Sequence, residues 1–202
     1  MPRSVLGHLP KPRIGLLGGS FNPAHDGHVH VSAEALKRLD LDEVWWLVAP
    51  QNPLKPAAGM APFASRLRQA RAVARDRRIR VLDLEARLGT FYTADTVAAL
   101  QAQFPRQHFV WLMGADNLAQ IRHWRRWRSI FRRLPVAVFA RPTYCLAALA
   151  GLAAKRFARW RVSPPARRFS RLEPPAWIFL PVKLDPSSAT AIRSRKGASL
   201  RR

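Results

Sequence analysis

Contiguous apolar runs, separated by helical and turn-rich segments, recur along the sequence. Strands of a parallel sheet are covered on both faces, so they read as unbroken apolar runs rather than as alternating patterns. On this basis the predicted strands are residues 13–18, 43–48, 79–82, 109–113, 136–140 and 177–180. Each run is short enough for a strand and is bounded by Gly, Pro or polar residues.

Segments between these runs carry apolar residues at helical spacing. They predict helices over residues 27–38, 62–74 and 96–103, and a short Ala/Leu-rich helix after Cys145. Thr93 or Asp95 is expected to cap the third helix. Strands alternating with helices predict an α/β fold with a doubly wound parallel sheet.

The length of 202 residues suits one α/β domain and is short for two. We expect a single domain over residues 1–202, with its core at about 13–193. The composition changes over residues 145–175, which we expect to be flexible or inserted, and the Arg-rich end at 196–202 is expected to be a disordered tail.

Several features of the sequence indicate a cytoplasmic location. The longest apolar run, residues 144–154, is too short to span a bilayer, and the N-terminus lacks the apolar stretch of a signal peptide. The single cysteine, Cys145, cannot form an internal disulfide, which fits a reducing compartment.

The turn after the first predicted strand carries the strongest chemical signal. Gly18 and Gly19 precede Ser20 and Phe21, and the first predicted helix starts shortly afterwards. Glycines let the backbone approach an anion closely, and the N–H groups and dipole of a helix N-terminus favour negative charge. The stretch therefore predicts a phosphate site.

Two histidines, His25 and His28, stand at the mouth of that helix, three residues apart. At this spacing both can reach the same phosphate group. A His-x-x-His pair is also half of a zinc site, but zinc takes three or four ligands and no Cys or His cluster accompanies the pair. No protein-bound metal is therefore predicted.

Other chemistry-bearing residues follow later predicted strands, where ligands bind in open α/β sheets. Lys55 lies in the Pro-rich loop after the second strand, and Asp116 follows the fourth strand directly after Gly114. Asp116 can contact a ribose or a metal, or cap a helix. Trp124 can belong to the core or stack on a base. The pattern leaves both alternatives open.

The first turn closely resembles a family signature. Residues 18–28 read Gly-Gly-Ser-Phe-Asn-Pro-Ala-His-Asp-Gly-His. The nucleotidyltransferase superfamily, which has a Rossmann-like fold, carries Gly-Gly-Thr-Phe-Asp-Pro-x-His-x-Gly-His, from which Ser20 and Asn22 depart mildly. Its members bind ATP or CTP and transfer a nucleotidyl group with release of pyrophosphate.

Three later motifs narrow the resemblance to bacterial nicotinate mononucleotide adenylyltransferases. They are Tyr92-Thr93-Ala94-Asp95-Thr96, Gly114-Ala115-Asp116 with Trp124 eight residues later, and Ser188-Ala189-Thr190-Ala191-Ile192-Arg193. In the last motif Ala189 replaces a serine, which removes one hydroxyl that could contact a phosphate.

The resemblance implies adenylyl transfer from ATP to nicotinate mononucleotide, giving nicotinate adenine dinucleotide and pyrophosphate in NAD biosynthesis. It implies His25, His28 and Arg193 as catalytic residues. The residues expected at ATP are Gly18, Gly19, Ser20, Phe21, His25, His28, Gly114, Asp116, Ser188, Thr190 and Arg193. Those expected at nicotinate mononucleotide are Asn22, Lys55, Tyr92, Thr93 and Trp124. Mg²⁺ is expected on the ATP phosphates, with few or no protein ligands.

The charge favours anionic ligands and opens an alternative. Lys and Arg number 35 against 12 Asp and Glu, a formal net charge of +23, which would attract nucleic acid without sequence preference. The arginines are scattered and no nucleic-acid-reading motif is evident, so neither a specific nucleic acid nor a membrane is predicted as partner.

Three alternatives remain: an enzyme acting on nicotinamide mononucleotide, another adenylyltransferase of the superfamily, and a basic nucleic-acid-binding module. His25 argues against the phosphopantetheine enzymes, which carry threonine at that place. The oligomeric state is left open, a homo-oligomer included.

Overall fold

The computed structural model describes residues 11–51 and 59–183. Its strands are β1 (Arg13–Gly19), β2 (Glu43–Val48), β3 (Ile79–Leu82), β4 (His108–Gly114), β5 (Val136–Phe139), β6 (Arg161–Val162) and β7 (Trp177–Leu180). Its α-helices are α1 (Asp26–Arg38), α2 (Phe63–Val73), α3 (Leu84–Arg87), α4 (Thr93–Gln103), α5 (Ala115–Gln120), α6 (Trp127–Arg133), α7 (Cys145–Ala150) and α8 (Leu152–Arg156). No helix within these ranges is long and apolar enough to cross a bilayer.

The seven strands form one parallel sheet in the order β3-β2-β1-β4-β5-β7-β6. The chain moves outward from β1 in one direction, then returns to place β4 on the other side of β1. Loops after β1 and β4 therefore diverge and leave a crevice at the carboxyl ends of these strands, where ligands bind in such sheets. The prediction of a doubly wound parallel sheet is confirmed.

Both faces of the sheet are covered. Trp45 points into a cluster formed with α4, α5 and α6, whereas its neighbour Trp46 points into a second cluster with α1 and α2, and both side chains are buried. Successive strand residues point to opposite faces, so a strand with helices on both sides needs apolar residues at every position. This explains the unbroken apolar runs.

The prediction for the start of the third helix is wrong. The helix, α4, begins at Thr93 instead of residue 96, and it follows Tyr92, whose side chain makes no capping hydrogen bond. Thr93 and Asp95 are inside the first turn and so cannot be the cap. The Asp95 carboxylate instead pairs with Arg126, a residue distant in sequence.

Residues 145–175 fold against the rest of the domain. Helices α7 and α8 both contact α5, and β6 pairs with β7 at the edge of the sheet. Ala148 and Phe157 are buried in the same cluster as Trp45, which includes residues of α6. The flexible or inserted character of this segment and the core limits of 13–193 stay predictions, and the tail at 196–202 lies outside the described residues.

Candidate active site

Two of the predicted site segments, the Gly-Gly-Ser turn and Gly114 with Asp116, lie at the carboxyl edge of the sheet. Strand β1 ends at Gly19 and β4 at Gly114, on adjacent parallel strands. The Gly-Gly-Ser turn, the start of α1 and the start of α5 therefore open onto the same crevice.

Two glycines at this edge let neighbouring side chains approach the backbone closely. A Cβ at Gly18 would lie 2.7 Å from the ring of Trp111, and one at Gly114 would lie 2.2 Å from Asp116 Oδ1. Real Cβ atoms do not make contacts this short, because interiors are close-packed. Gly18 thus lets β1 and Trp111 pack together beneath the turn, and Gly114 leaves room for the Asp116 carboxylate.

The turn itself has an unusual backbone. Phe21 lies in the left-handed region, with φ of 46°, which is uncommon for a bulky residue. Its side chain is 2% exposed and stacks on Trp46, with 5.0 Å between ring centroids. Because its ring is buried in the core, Phe21 can contact a ligand only through its backbone.

The two histidines cap α1 reciprocally. The Gly27 N–H donates to His25 Nδ1, and the His25 N–H donates to His28 Nδ1, each over 3.2 Å. A nitrogen that accepts a hydrogen bond carries no proton, so in the neutral rings the proton is on Nε2. The cap therefore makes each Nε2 a donor, the polarity that a phosphate oxygen requires.

The His28 ring packs against the rings of His25, Phe21 and Trp46, which fix its orientation. Its centroid lies 3.9 Å from that of His25, 4.7 Å from Phe21 and 5.7 Å from Trp46. The Trp46 indole donates to Ser32 Oγ, which in turn donates to the His28 carbonyl, both over 2.8 Å. These contacts hold the imidazole in place before any ligand arrives.

Asp116 lies in the first turn of α5, which starts at Ala115. Gly114 occupies the capping position, so the alternative that Asp116 caps this helix does not apply. Asp116 Oδ1 is buried and accepts no hydrogen bond from the described residues, and Arg141 Nε lies 3.9 Å away. Sequence reasoning missed Arg141, although its position directly after β5 places it at the same edge.

Tyr92 and Thr93, two of the predicted nicotinate-side residues, lie close to the segment that carries a third, Trp124. The Arg125 guanidinium lies over the Tyr92 ring at 4.7 Å, and Arg126 pairs with Asp95, so the start of α4 meets the segment that carries Trp124. Trp124 is half-buried and follows a 3₁₀ turn, with its ring edge-to-face against Trp111 at 6.5 Å.

Comparison with known proteins identifies the family. The model of the cytidylyltransferase-like family matches residues 16–195. The chain belongs to the cytidylyltransferase-like family. A Parvibaculum lavamentivorans relative is 53% identical over 193 residues, covering 95% of this chain and 96% of the relative. A Cereibacter sphaeroides relative is 54% identical over 181 residues, covering 90% and 96%. Both are named probable nicotinate-nucleotide adenylyltransferase, and the predicted resemblance is confirmed.

Solved structures agree on the fold. Plasmodium falciparum nicotinic acid mononucleotide adenylyltransferase complexed with NaAD superposes with a TM-score of 0.69 at 16% identity, covering 91% of this chain and 83% of that chain. The same enzyme complexed with APC gives a TM-score of 0.67 at 16% identity, covering 90% and 82%. The Rossmann-like fold expected for a cytidylyltransferase-like protein is thereby confirmed.

In this cytidylyltransferase-like chain Asn22 has a structural role. Its Nδ2 donates to the Gly59 carbonyl at 3.1 Å, and its Oδ1 accepts the Ala61 N–H at 3.2 Å. Both ends of the amide thus tie the first turn to residues 59–61. Its predicted contact with nicotinate mononucleotide stays a prediction. Five residues singled out in the sequence lie outside the described ranges: Lys55, Ser188, Ala189, Thr190 and Arg193.

Metal-ligating residues do not cluster in the described part of this cytidylyltransferase-like protein. Within residues 11–51 and 59–183, no group of three or more His, Cys, Asp or Glu side chains is arranged to hold an ion. The chemistry of the histidine pair is instead that of a hydrogen-bond donor, because the cap leaves the proton of each neutral ring on Nε2, and such donors suit phosphate oxygens.

Glu85 is a buried carboxyl beneath the start of α4. It is 5% exposed, and Thr96 Oγ1 donates to it over 3.3 Å. Burial raises the pKa of Glu85 to about 7, and the Thr96 hydrogen bond opposes the shift. The folded protein therefore holds a proton here that the unfolded chain releases at lower pH.

Glu85→Gln is expected to stabilise the protein increasingly as the pH rises above about 4.5, with the full gain above about pH 7. Between about pH 4.5 and 7 the native state binds more protons than the unfolded state, so stability falls as the pH rises through this window. Above pH 7 the folded protein bears the full cost of ionising the buried Glu85 carboxyl, about 3 kcal/mol, and the uncharged glutamine side chain removes this cost. Urea unfolding at about pH 4 and pH 8 measures it, with exposed Glu173→Gln as control. An equal effect at both pH values would contradict the protonated state.

Proposed function

We propose that this protein transfers the adenylyl group of ATP to nicotinate mononucleotide, forming nicotinate adenine dinucleotide and pyrophosphate in NAD biosynthesis. The proposal is supported by the glycine turn with its histidine pair and by Asp116, which follow adjacent strands, and by Trp124, which packs against Trp111 of the second of these strands. Relatives above 50% identity over at least 90% of this chain bear the name of that activity.

The reaction places simple demands on the protein. The 5′-phosphate of nicotinate mononucleotide is already a nucleophile, so no side chain has to deprotonate it. A bond forms between its oxygen and the α-phosphorus of ATP, while the bond to the bridging oxygen breaks and pyrophosphate leaves. Catalysis then consists of orienting two polyanions, for about 7–11 kcal/mol of barrier lowering, and of stabilising the departing charge.

The phosphates are assigned to the histidine end of the crevice. His25 and His28 donate from Nε2 to triphosphate oxygens, assisted by backbone N–H groups at Gly19, Ser20 and Phe21. Ser188, Thr190 and Arg193 contact the phosphates from the chain segment that follows β7. Mg²⁺, held by the phosphate oxygens, would neutralise part of their charge.

The two ring systems are assigned to the remaining surfaces. Adenosine is placed beside Gly114 and Asp116, and Asp116 Oδ1, which accepts no hydrogen bond from the described residues, can accept from a ribose hydroxyl. The pyridine ring lies against Trp124, and backbone N–H groups at Tyr92 and Thr93 receive the nicotinate carboxylate at the start of α4. Lys55 and Asn22 are also assigned to nicotinate mononucleotide, on the resemblance of the sequence motifs.

Pyrophosphate release from ATP tests the proposal. The assay is run in parallel with nicotinate mononucleotide, nicotinamide mononucleotide and phosphopantetheine as acceptors. We expect the highest kcat/KM with nicotinate mononucleotide. Faster release with either of the other acceptors would assign the protein to a different adenylyltransferase activity.

We also propose a cytoplasmic location, because the lone Cys145 suits a reducing compartment. A homo-oligomer is compatible with the exposed Leu146 and Leu152, and sedimentation of the purified chain measures its state.

The structure offers one surface for the alternative of nucleic-acid binding. It is a basic groove near the amino ends of the last strands, away from the carboxyl ends where the candidate site lies. The groove has a volume of about 510 Å³ and is lined by Arg132, Arg156, Phe157, Arg159, Trp160 and Pro175. None of its arginines pairs with an acidic residue in the described ranges. Such a surface attracts phosphates by charge and does not read sequence.

Binding of duplex DNA is therefore expected to be non-specific and salt-sensitive. Three phosphate contacts predict a loss of about 40-fold in affinity as salt rises from about 50 to about 200 mM. Arg156→Ala with Arg159→Ala should weaken binding equally for unrelated sequences, whereas Arg71→Ala on α2 serves as control. Sequence-dependent binding that survives physiological salt would favour the nucleic-acid-binding module instead.

A further inference from the structure

Arg66 of α2 is a buried cation that joins three backbone segments at the edge of the crevice. It is 1% exposed. Its Nε donates to the Ala61 carbonyl at 2.9 Å, its Nη1 to the carbonyls of Ser20 at 2.6 Å and Ala49 at 2.7 Å, and its Nη2 to that of Pro50 at 2.6 Å. Only the rigid fork of a guanidinium presents donors in so many fixed directions.

No carboxylate compensates this charge in the described part of the chain. The hydrogen-bond acceptors of Arg66 are all carbonyl oxygens, and burial lowers its pKa without removing its proton. A buried ion without a counter-ion is costly, and the carbonyl dipoles offset only part of that cost. Its field therefore acts on the adjacent turn, where the site receives an anion.

The Ser20 hydrogen bond sets the direction of a whole peptide group. The Ser20–Phe21 peptide is trans, so its C=O and N–H point in opposite directions. With the carbonyl held by Arg66, the Phe21 N–H is directed to the other side of the turn. Phe21 has a positive φ of 46°, a conformation that needs support from its surroundings.

We propose that Arg66 is a positioning residue for the triphosphate of ATP. It holds the Gly19-to-Phe21 turn against Ala49, Pro50 and Ala61, aims the Phe21 N–H at the phosphates and adds an uncompensated positive charge behind them. This inference rests on the proposed function, because it deepens the role of the same turn.

Arg66→Lys tests the role, since lysine keeps the charge but cannot span all four carbonyls. We expect KM for ATP to rise about 10- to 100-fold and kcat to fall, because small misplacement of reacting groups is costly. KM for nicotinate mononucleotide should change less than twofold. Arg68→Lys, on the exposed side of the same helix, is the matched control and should resemble the wild type.

A purely structural role would give a different result. Arg66→Lys would then lower Tm while ATP kinetics and calorimetric binding of inorganic tripolyphosphate stay within twofold of wild type, which would overturn the proposal. Tripolyphosphate binding is independent of the second substrate. It therefore decides the role of Arg66 even if wild-type protein releases no pyrophosphate with nicotinate mononucleotide.

The wild-type protein supplies a measurement that needs no variant. In nitrogen-15 spectra, the Phe21 amide and the Arg66 Nε–H are expected to shift when tripolyphosphate is added. If Arg66→Lys fails to fold, these shifts decide the case: both present supports the proposal, and unchanged resonances at saturation overturn it.

Discussion

His28→Ala is expected to lower kcat by about 10²- to 10³-fold while leaving the fold intact. The ring is held against Phe21 and Trp46, and its Nδ1 is occupied by the His25 N–H, so its Nε2–H is a preorganised donor. Such a donor stabilises charge as it develops on the departing phosphates. Steady-state kinetics and circular dichroism measure the two effects.

A second substitution separates the donor from the helix cap. His28→Asn can keep an oxygen acceptor near the position of Nδ1 but loses the Nε2 donor. We expect its kcat to be as low as that of His28→Ala and its Tm to be closer to wild type, since loss of a cap costs about 1 kcal/mol. His108→Ala, at the opposite edge of the sheet, is the control. Turnover within threefold of wild type in a folded His28→Ala protein would refute the catalytic role.

Trp124→Ala is expected to weaken nicotinate mononucleotide and to leave ATP nearly unaffected. Stacking of a base on an aromatic side chain contributes about 1–3 kcal/mol, a factor of about 5 to 150 in affinity. Trp124 is only half-buried, and its ring lies perpendicular to that of Trp111, so part of the indole is exposed and can meet a ligand. The two Michaelis constants, measured together with Tm, report the difference.

Trp127→Ala is the matched comparison for a purely structural tryptophan. Trp127 is 8% exposed and packs against Phe131 and Phe157, so its removal should cost about 3–5 kcal/mol of stability. Its effect on the two substrates should be equal. If Trp124→Ala also lowers Tm strongly and shifts both constants alike, Trp124 is a core residue and the stacking role is wrong.

The longer strands and their burial on both faces could be predicted, because each one is a run of consecutive apolar residues in the sequence. Every residue of β2 after Glu43 is buried, and the run Val-Trp-Trp-Leu-Val shows this directly in the sequence. The glycine turn and the histidine pair were equally readable, since an anion site at a helix N-terminus is assembled from neighbours in sequence. Placement of the site at one sheet edge followed from the parallel topology.

Contacts between distant segments were not readable. Asp95 looked like a helix cap because acids often cap helices, but its partner is Arg126, brought close only by packing of α4 against α6. Strand β6 has two residues and no periodicity to detect. In the sequence, Arg66 resembles any arginine of an amphipathic helix, and the residues around it do not predict that its side chain donates to four carbonyl groups.

The sequence by itself determined the α/β fold class, the glycine turn with His25 and His28 at a helix N-terminus, and the resemblance to adenylyltransferases. These depend on burial patterns and on residues a few positions apart. Only the tertiary structure decided that the imidazoles cap their own helix, that Arg141 approaches Asp116, and that Arg66 holds the turn. Hydrogen-bond partners and buried charges depend on which segments meet in space, and that information is spread over the whole chain.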